Sequence, residues 1–288
     1  MGNLLNNRYS IIKSLGSGGF GETYLAEDIQ MPSKRRCVVK RLKPLGQKAA
    51  IYQIQERFER EAATLEALGQ DCSQIPQLYA YLVEAGQFYL VQEWIEGDTL
   101  KQILQKDGPM SDRAVNELLL KLLPVLDYIH SKGIIHRDIK PDNIILRKQD
   151  GNPVLIDFGA VKETMGTELD SQGNISRTLI VGTSGFMPPE QAAGKPVYAS
   201  DLYSLGCTAV YLLTGKLPHQ LETSPVSGEM QWQTELESVQ TGYPANINPT
   251  LMAVLDRSLK CHFRDRFQSA QEMLQALRSE ASSPSPHP

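Results

Sequence analysis

Cysteine is scarce and scattered: the four in 288 residues, Cys37, Cys72, Cys207 and Cys261, lie far apart with no C-x-x-C spacing. That excludes both a sequence-encoded zinc site and a disulfide framework, and reduced thiols in a cytosolic protein are expected. Long apolar runs are also missing. Lys121 and Pro124 interrupt the richest stretch, Leu118 to Leu126, so nothing reaches the roughly 18 apolar residues of a membrane span. No signal peptide is evident, and Gly2 is not followed at position 6 by the Ser or Thr of a myristoylation signal. Nor is there an excess of positive charge. With 29 Lys+Arg against 33 Asp+Glu, a net charge of −4 and pI ≈ 5.8, a domain devoted to nucleic-acid phosphates is disfavoured, because that work needs a clustered basic face. What remains, 41% hydrophobic and 22% charged, is an ordinary globular composition, and the length suits about two compact units.

Period-two patterning dominates the first part. Tyr9, Ile11 and Leu15 share a parity, a glycine cluster follows, then come Thr23 to Ala26 and Cys37 to Val39, with Phe88 to Val91 as a later strand. One helix interrupts them: Ile51, Ile54, Phe58, Ala62, Leu65 and Leu68 repeat at three and four, and Gly69 marks the stop. After Gly97 the period changes. Ser111 can cap a helix running to about Lys132, and further helices fit Leu202 to Leu213, Leu251 to Leu259 and Ala270 to Leu277. The expectation is an α+β chain with a small antiparallel-sheet lobe carrying one helix, then a larger helical lobe. Ala281 to Pro286 reads as a tail or the start of a linker.

Gly16-Ser17-Gly18-Gly19-Phe20-Gly21 is a G-x-G-x-x-G. By itself it is either a phosphate loop or an ordinary glycine-rich turn. A dinucleotide fold would need a helix next, whereas Thr23 to Ala26 is β-prone, so these glycines belong to a hairpin in which backbone N–H groups can approach phosphates. Lys40 ends the strand Cys37-Val38-Val39 among Lys34, Arg35, Arg36, Arg41 and Lys43, which read as solvated surface. Glu61 falls on the inward stripe of the helix, where an unpaired carboxylate is costly, and a lysine facing that helix could pair with it.

His136-Arg137-Asp138-Ile139-Lys140-Pro141-Asp142-Asn143 follows the long helix, and Asp157-Phe158-Gly159 follows the strand Val154-Leu155-Ile156. Asn143 and Asp157 offer hard oxygens suited to Mg²⁺, which leaves Asp138 as a base or orienter.

On these residues the chain closely resembles the eukaryotic-type serine/threonine protein kinases, from about Arg8 to about Leu277, and its glycine-loop wording is bacterial and cyanobacterial-like. Gly182-Thr183, Pro188-Pro189-Glu190, Asp201 and Arg266 extend the match. Three positions depart from the family pattern: Pro188 for alanine, Val38 for the alanine over the adenine ring, and Thr23 for the glycine-loop valine. The last two would tighten the purine slot, and none of the three touches phosphate or metal.

The resemblance implies a catalytic domain over 8–279 (lobes 8–95 and 98–279), with 1–7 as an extension and 280–288 as a tail. It implies transfer of the γ-phosphoryl group of ATP, with Mg²⁺ or Mn²⁺, to protein Ser/Thr hydroxyls. In that scheme Gly16 to Gly21 cover the phosphates, Lys40 holds the α- and β-phosphates and is held by Glu61, and Asn143 and Asp157 hold metal. Asp138 orients the acceptor and takes its proton, while Lys140 neutralises the γ-phosphate. Adenine lies between Val38 and Ile145, edge-bonded to the backbone of Glu93 and Ile95 beyond Gln92. Lys140 with Thr183 implies serine/threonine rather than tyrosine acceptors.

Pro188-Pro189-Glu190 implies protein rather than small-molecule substrates. Arg266 should pair with Glu190, and Asp201 should steady the catalytic loop. Arg137 calls for a negative partner, either a phosphorylated Thr178 or Ser176 or an acidic residue such as Glu163, Glu168 or Asp170. Self-association for autophosphorylation and a cytoplasmic location fit this picture. The competing reading is a pseudokinase scaffold, against which Lys40, Asp138 and Asp157 are all present.

Overall fold

The computed structural model describes residues 4–18, 21–42, 59, 62–158, 185–225, 228–239 and 247–279. Two units emerge, Met1–Glu96 with Val154–Arg177 and Gly97–Pro153 with Thr178–Pro288.

In the first unit six antiparallel strands pair in the order β1-β2-β3-β4-β6-β5: β1 Leu4–Leu5, β2 Tyr9–Gly18, β3 Gly21–Asp28, β4 Arg36–Leu42, β5 Leu78–Glu84 and β6 Gln87–Glu93. Tight turns join β1 to β2 and β5 to β6. Asn6 and Asn7 take φ 49° and 50°, and Ala85 and Gly86 take 50° and 72°, the left-handed two-residue geometry that matches strand twist in hairpins. Residues 4–5, expected to lie in an extension, thus form an edge strand, and Leu5 joins Tyr9, Ala26, Cys37, Val39, Tyr89 and Val91 in one apolar cluster. Register shifts between Ile11 and Lys13 and between Ser14 and Gly16 break the parity of β2, which leaves Leu15 39% exposed. The lysine strand continues two residues beyond Lys40. A helix, α1, covers 62–69, with Ala62, Leu65 and Leu68 buried; its expected earlier part lies outside the described residues, as does the expected tail after 279.

Asp28, wholly buried at the end of β3, accepts from Arg8 Nε at 2.9 Å and Nη2 at 2.8 Å. Arg35 approaches the same carboxylate at 3.8 Å and stacks over the Tyr79 ring at 3.7 Å. The hydrogen bond from Arg8 holds the Asp28 carboxyl below the usual carboxylate range.

The second unit is mainly helical. Its elements are β7 Gly97–Thr99, α2 Leu100–Asp107, α3 Asp112–Ser131, β8 Ile144–Arg147, α4 Pro189–Ala192, α5 Tyr198–Thr214, α6 Gln233–Val239, α7 Pro249–Ser258 and α8 Ala270–Arg278, and the short strand β9 Pro153–Leu155 lies across the sequence boundary between the units. Local chemistry sets the ends. Ser111 caps α3 by accepting from Ala114 N at 3.2 Å, and Thr99 and Gln102 form a reciprocal capping box on α2. Asn248 caps α7 and Ser269 caps α8.

Helix α5 is buried along nearly its whole length, as a central helix must be when it is apolar all round. A Cβ at Gly206 would run into Ser258 Oγ, so that glycine permits the close approach of α5 and α7. Among the described residues no helix is long and apolar enough to cross a membrane.

Candidate active site

Within the first unit the glycines sit in the β2–β3 hairpin, with Gly16 opposite Thr23, Ser17 opposite Glu22 and Gly18 opposite Gly21. The turn therefore leads from strand to strand, where a dinucleotide fold would lead into a helix. A Cβ on Gly21 would run into the Arg41 carbonyl, whereas one on Gly16 would meet nothing within 4 Å. Gly21 is thus required by strand packing, and Gly16 leaves open space beside the backbone. Gly19 and Phe20 lie outside the described residues.

Antiparallel register places Lys40 opposite Thr23 and Leu90, and Val38 opposite Leu25 and Gln92. Alternation therefore puts Thr23, Val38, Lys40 and Gln92 on one face of the sheet. The opposite face carries Glu22, which is ion-paired to Arg41 and accepts from Tyr24 Oη. Lys40 Nζ donates to Asp157 Oδ1 at 2.9 Å. Asp157 has φ 62°, a left-handed conformation that a non-glycine residue holds only at a cost. Its side chain is 45% exposed against 18% for Lys40. Glu61, the expected partner of Lys40, lies outside the described residues. The Glu93 N–H donates to Gln77 O at 2.9 Å, and the Gln77 N–H donates to Glu93 Oε2 at 3.2 Å, so a ligand edge would meet the Glu93 carbonyl. Ile95 is buried.

In the second unit Asp138 is caged. Asn143 Nδ2 donates to Asp138 Oδ2 at 2.6 Å and to its backbone carbonyl at 2.9 Å. Lys140 Nζ lies 3.2 Å from Oδ1 and 3.1 Å from Oδ2. The short helical turn Pro141–Asn143 brings Asn143 back over Asp138 and feeds directly into β8, where Ile145 pairs with Thr99. With its amide nitrogen committed to Asp138, Asn143 has Oδ1 as the atom that could face a ligand.

The loop preceding Asp138 is held from below. Buried Asp201 accepts from the N–H groups of His136 and Arg137, at 2.9 Å each, and contacts His130 Nε2 at 2.9 Å. Arg137 has φ 67°, and Gln191 Nε2 donates to its carbonyl at 2.6 Å. The bonds on both flanking peptides stabilise a conformation that would otherwise cost on the order of 1–3 kcal/mol.

Glu190 and Arg266 pair as the resemblance implied, at 2.7 and 3.2 Å. Arg266 is fully buried, donates also to Lys260 O and Cys261 O at 2.7 and 2.9 Å, and lies 4.4 Å from the Tyr203 ring. Burial pushes the Glu190 carboxyl up, but hydrogen bonds from Arg266 and Ser200 outweigh it and the net direction is down.

Sequence reasoning misses His130 and Gln191. The first ends a helix and the second follows a proline pair, and neither local pattern reports a partner more than 50 residues away. The activation-segment residues Ser176, Thr178 and Thr183, together with Glu163, Glu168 and Asp170, lie outside the described residues. Burial raises the Cys37 and Cys207 thiols to about 11 and about 12, so both stay protonated near neutrality.

The protein kinase domain model matches residues 9–277. Serine/threonine-protein kinase PknA of Nostoc sp. is 62% identical over 279 residues, covering 96% of this chain and 48% of that protein. Serine/threonine-protein kinase C of Synechocystis sp. is 55% identical over 280 residues, covering 97% and 51%. The chain thus spans about half the length of these curated relatives. Among solved structures, PpkA-294 in its apo form superposes with TM-score 0.74 at 26% identity over 96% of this chain and 98% of that one. The Mycobacterium tuberculosis PknI kinase domain shares the fold, with TM-score 0.69 at 23% identity over 97% and 99%. Matched over nearly its whole length, with Asp138 caged and Glu190 clamped by Arg266, this chain belongs to the protein kinase domain family.

Proposed function

We propose that the domain transfers the γ-phosphoryl group of ATP to serine or threonine hydroxyls of proteins. The observation that carries this reading is the cage on Asp138. A carboxylate fixed by Asn143 and Lys140 can orient an incoming hydroxyl and take its proton, while the Lys140 ammonium beside it offsets charge on the phosphoryl oxygens. Phosphoryl transfer asks little more of a protein than such positioning and charge neutralisation.

The donor set fits a divalent ion. Asn143 Oδ1 and the half-exposed Asp157 carboxylate are hard oxygens, few enough that Mg²⁺ or Mn²⁺ would keep waters and share substrate phosphates. Held by those two side chains, such an ion would supply positive charge to offset that developing on the phosphoryl oxygens. Lys40 would hold the α- and β-phosphates under the backbone of Gly16 to Gly21, with Glu61 as its helix partner. Adenine would lie between Val38 and Ile145, alongside Thr23, with the backbone of Glu93 and Ile95 at its edge. Arg137 would receive a phosphate on Thr178 or Ser176, placed there by self-association of two copies. A cytoplasmic setting would supply ATP and protein substrates.

The test is transfer of label from γ-labelled ATP to the protein itself and to a generic basic protein, followed by identification of the acceptor amino acid. Phosphoserine or phosphothreonine that vanishes in Asp138→Asn supports the reading. Nucleotide binding with no transfer would turn the assignment to a pseudokinase scaffold.

A further inference from the structure

A pocket of ≈ 300 Å³ opens in the second unit, and its lining includes Glu229, Met230, Trp232, Gln233, Asp256 and Lys260 but no residue of the catalytic loop. Two arms of chain frame one wall, joined by Ser224 N to Glu229 O and Gln231 N to Glu222 O, each 2.8 Å. The start of α6 and the end of α7 supply the rest. Trp232 is fully buried, and its Nε1 donates to Asp256 Oδ1 at 2.9 Å, as does Gln233 Nε2 at 2.5 Å.

Both donors are neutral and both serve the same oxygen. Asp256 Oδ2 accepts from no group among the described residues. The nearby cation is engaged elsewhere, since Lys260 Nζ pairs with Glu229 Oε1 at 2.8 Å. Two carboxylates therefore face one ammonium, and the pocket carries a net negative charge concentrated on a carboxylate whose second oxygen is available. A guanidinium suits it better than an ammonium, because its planar fork can bond the open oxygen while still reaching Glu229, and it is the more weakly hydrated cation. The volume lies at the small end of ligand pockets, enough for one long side chain whose stem packs on Met230.

We propose that this pocket binds the guanidinium of an arginine presented by a protein or peptide partner, a docking contact separate from chemistry at Asp138. Burial raises the Asp256 carboxyl above its usual range, with Glu229 raising it further and Lys260 opposing. Binding should therefore weaken as pH falls, starting above the usual carboxylate range, because the neutral acid no longer attracts a cation.

The chain has two tryptophans, Trp94 and Trp232, so in a Trp94→Phe background the emission reports on this pocket. N-acetyl-arginine methylamide, agmatine and N-acetyl-leucine methylamide are titrated in turn. The expected result is a saturable change with blocked arginine and none with the leucine analogue. Affinity should fall about tenfold or more in Asp256→Asn, the loss of one charge-assisted bond, with phosphoryl transfer unchanged. Lys260→Gln should bind more tightly, since it removes the cation that competes with the ligand for the negative charge of Asp256 and Glu229, and this opposite sign keeps the test valid if Asp256→Asn fails to fold. No saturable change, equal affinity in Asp256→Asn, or unchanged affinity in Lys260→Gln would overturn the site. Binding of agmatine without blocked arginine would overturn the peptide partner.

Discussion

Asp138 and Lys40 are the side chains whose placement is hardest to explain as packing. Asp138 is 6% exposed, yet its carboxylate carries an ammonium and an amide rather than apolar neighbours, an arrangement that costs desolvation and gains orientation. Lys40 sits in the middle of an apolar sheet and holds Asp157 at 2.9 Å. If that geometry preorganises phosphates, Lys40→Met should lower kcat by about 10²-fold or more. The fold should persist, because the replacement preserves the stem that packs in the sheet. Turnover at saturating ATP, read beside a thermal melt, separates the two effects, and near-normal kcat in a folded variant would remove Lys40 from the chemistry.

At the scale of elements, two ion pairs, each with one partner fully buried, tie segments distant in sequence. Arg266 and Glu190 are 76 residues apart, and the arginine is wholly engaged by that carboxylate, backbone carbonyls and the Tyr203 ring. Removing one partner strands the other, so Arg266→Met should cost about 3–5 kcal/mol in urea denaturation. A loss near the level of an exposed pair, under about 1 kcal/mol, would show that the clamp is dispensable.

Asp28 ties β3 to the start of β2 through Arg8, and its acid is held low. A carboxyl depressed on folding adds stability above its unfolded value, and that stability disappears as pH falls through the folded value. Wild type should therefore be more stable than Asp28→Asn near neutrality, with the difference shrinking on acidification below the ordinary carboxylate range. Unfolding free energies across that range check it, and a difference independent of pH would contradict the role given to the charge.

These elements also show what local sequence can and cannot report. Ser111 announces α3, and the glycine cluster before a β-prone stretch announces a hairpin, because caps and turns act within a few residues. Helix α2 is not signalled in this way: its capping box, Thr99 with Gln102, is hidden behind Gly97-Asp98 and its apolar stripe is only two turns long. The bulges in β2 are illegible locally, since they depend on the neighbouring strand. The pairing of Arg266 with Glu190 and the hold of Asp201 on the catalytic loop come only from family resemblance, and the parts that His130 and Gln191 play there are set by tertiary packing that no local period encodes.

For the whole molecule, the residues proposed as catalytic are divided between the two units, Lys40 and Asp157 in one and Asp138, Lys140 and Asn143 in the other, and the proposal predicts that neither unit transfers phosphoryl groups by itself. Transfer should require Mg²⁺ or Mn²⁺ and stop with chelator, because the oxygens of Asn143 and Asp157 offer no positive charge of their own and can act on phosphates only through a bound cation. Label transfer that survives EDTA would refute the metal assignment. The central claim is tested most directly by mass spectrometry of the protein after incubation with Mg-ATP, wild type beside Asp138→Asn. The account predicts phosphorylated serine or threonine in the wild type, with Thr178 or Ser176 among the sites, and an unmodified Asp138→Asn protein. Equal modification of both proteins would contradict it, as would a wild type that modifies neither itself nor a basic protein substrate.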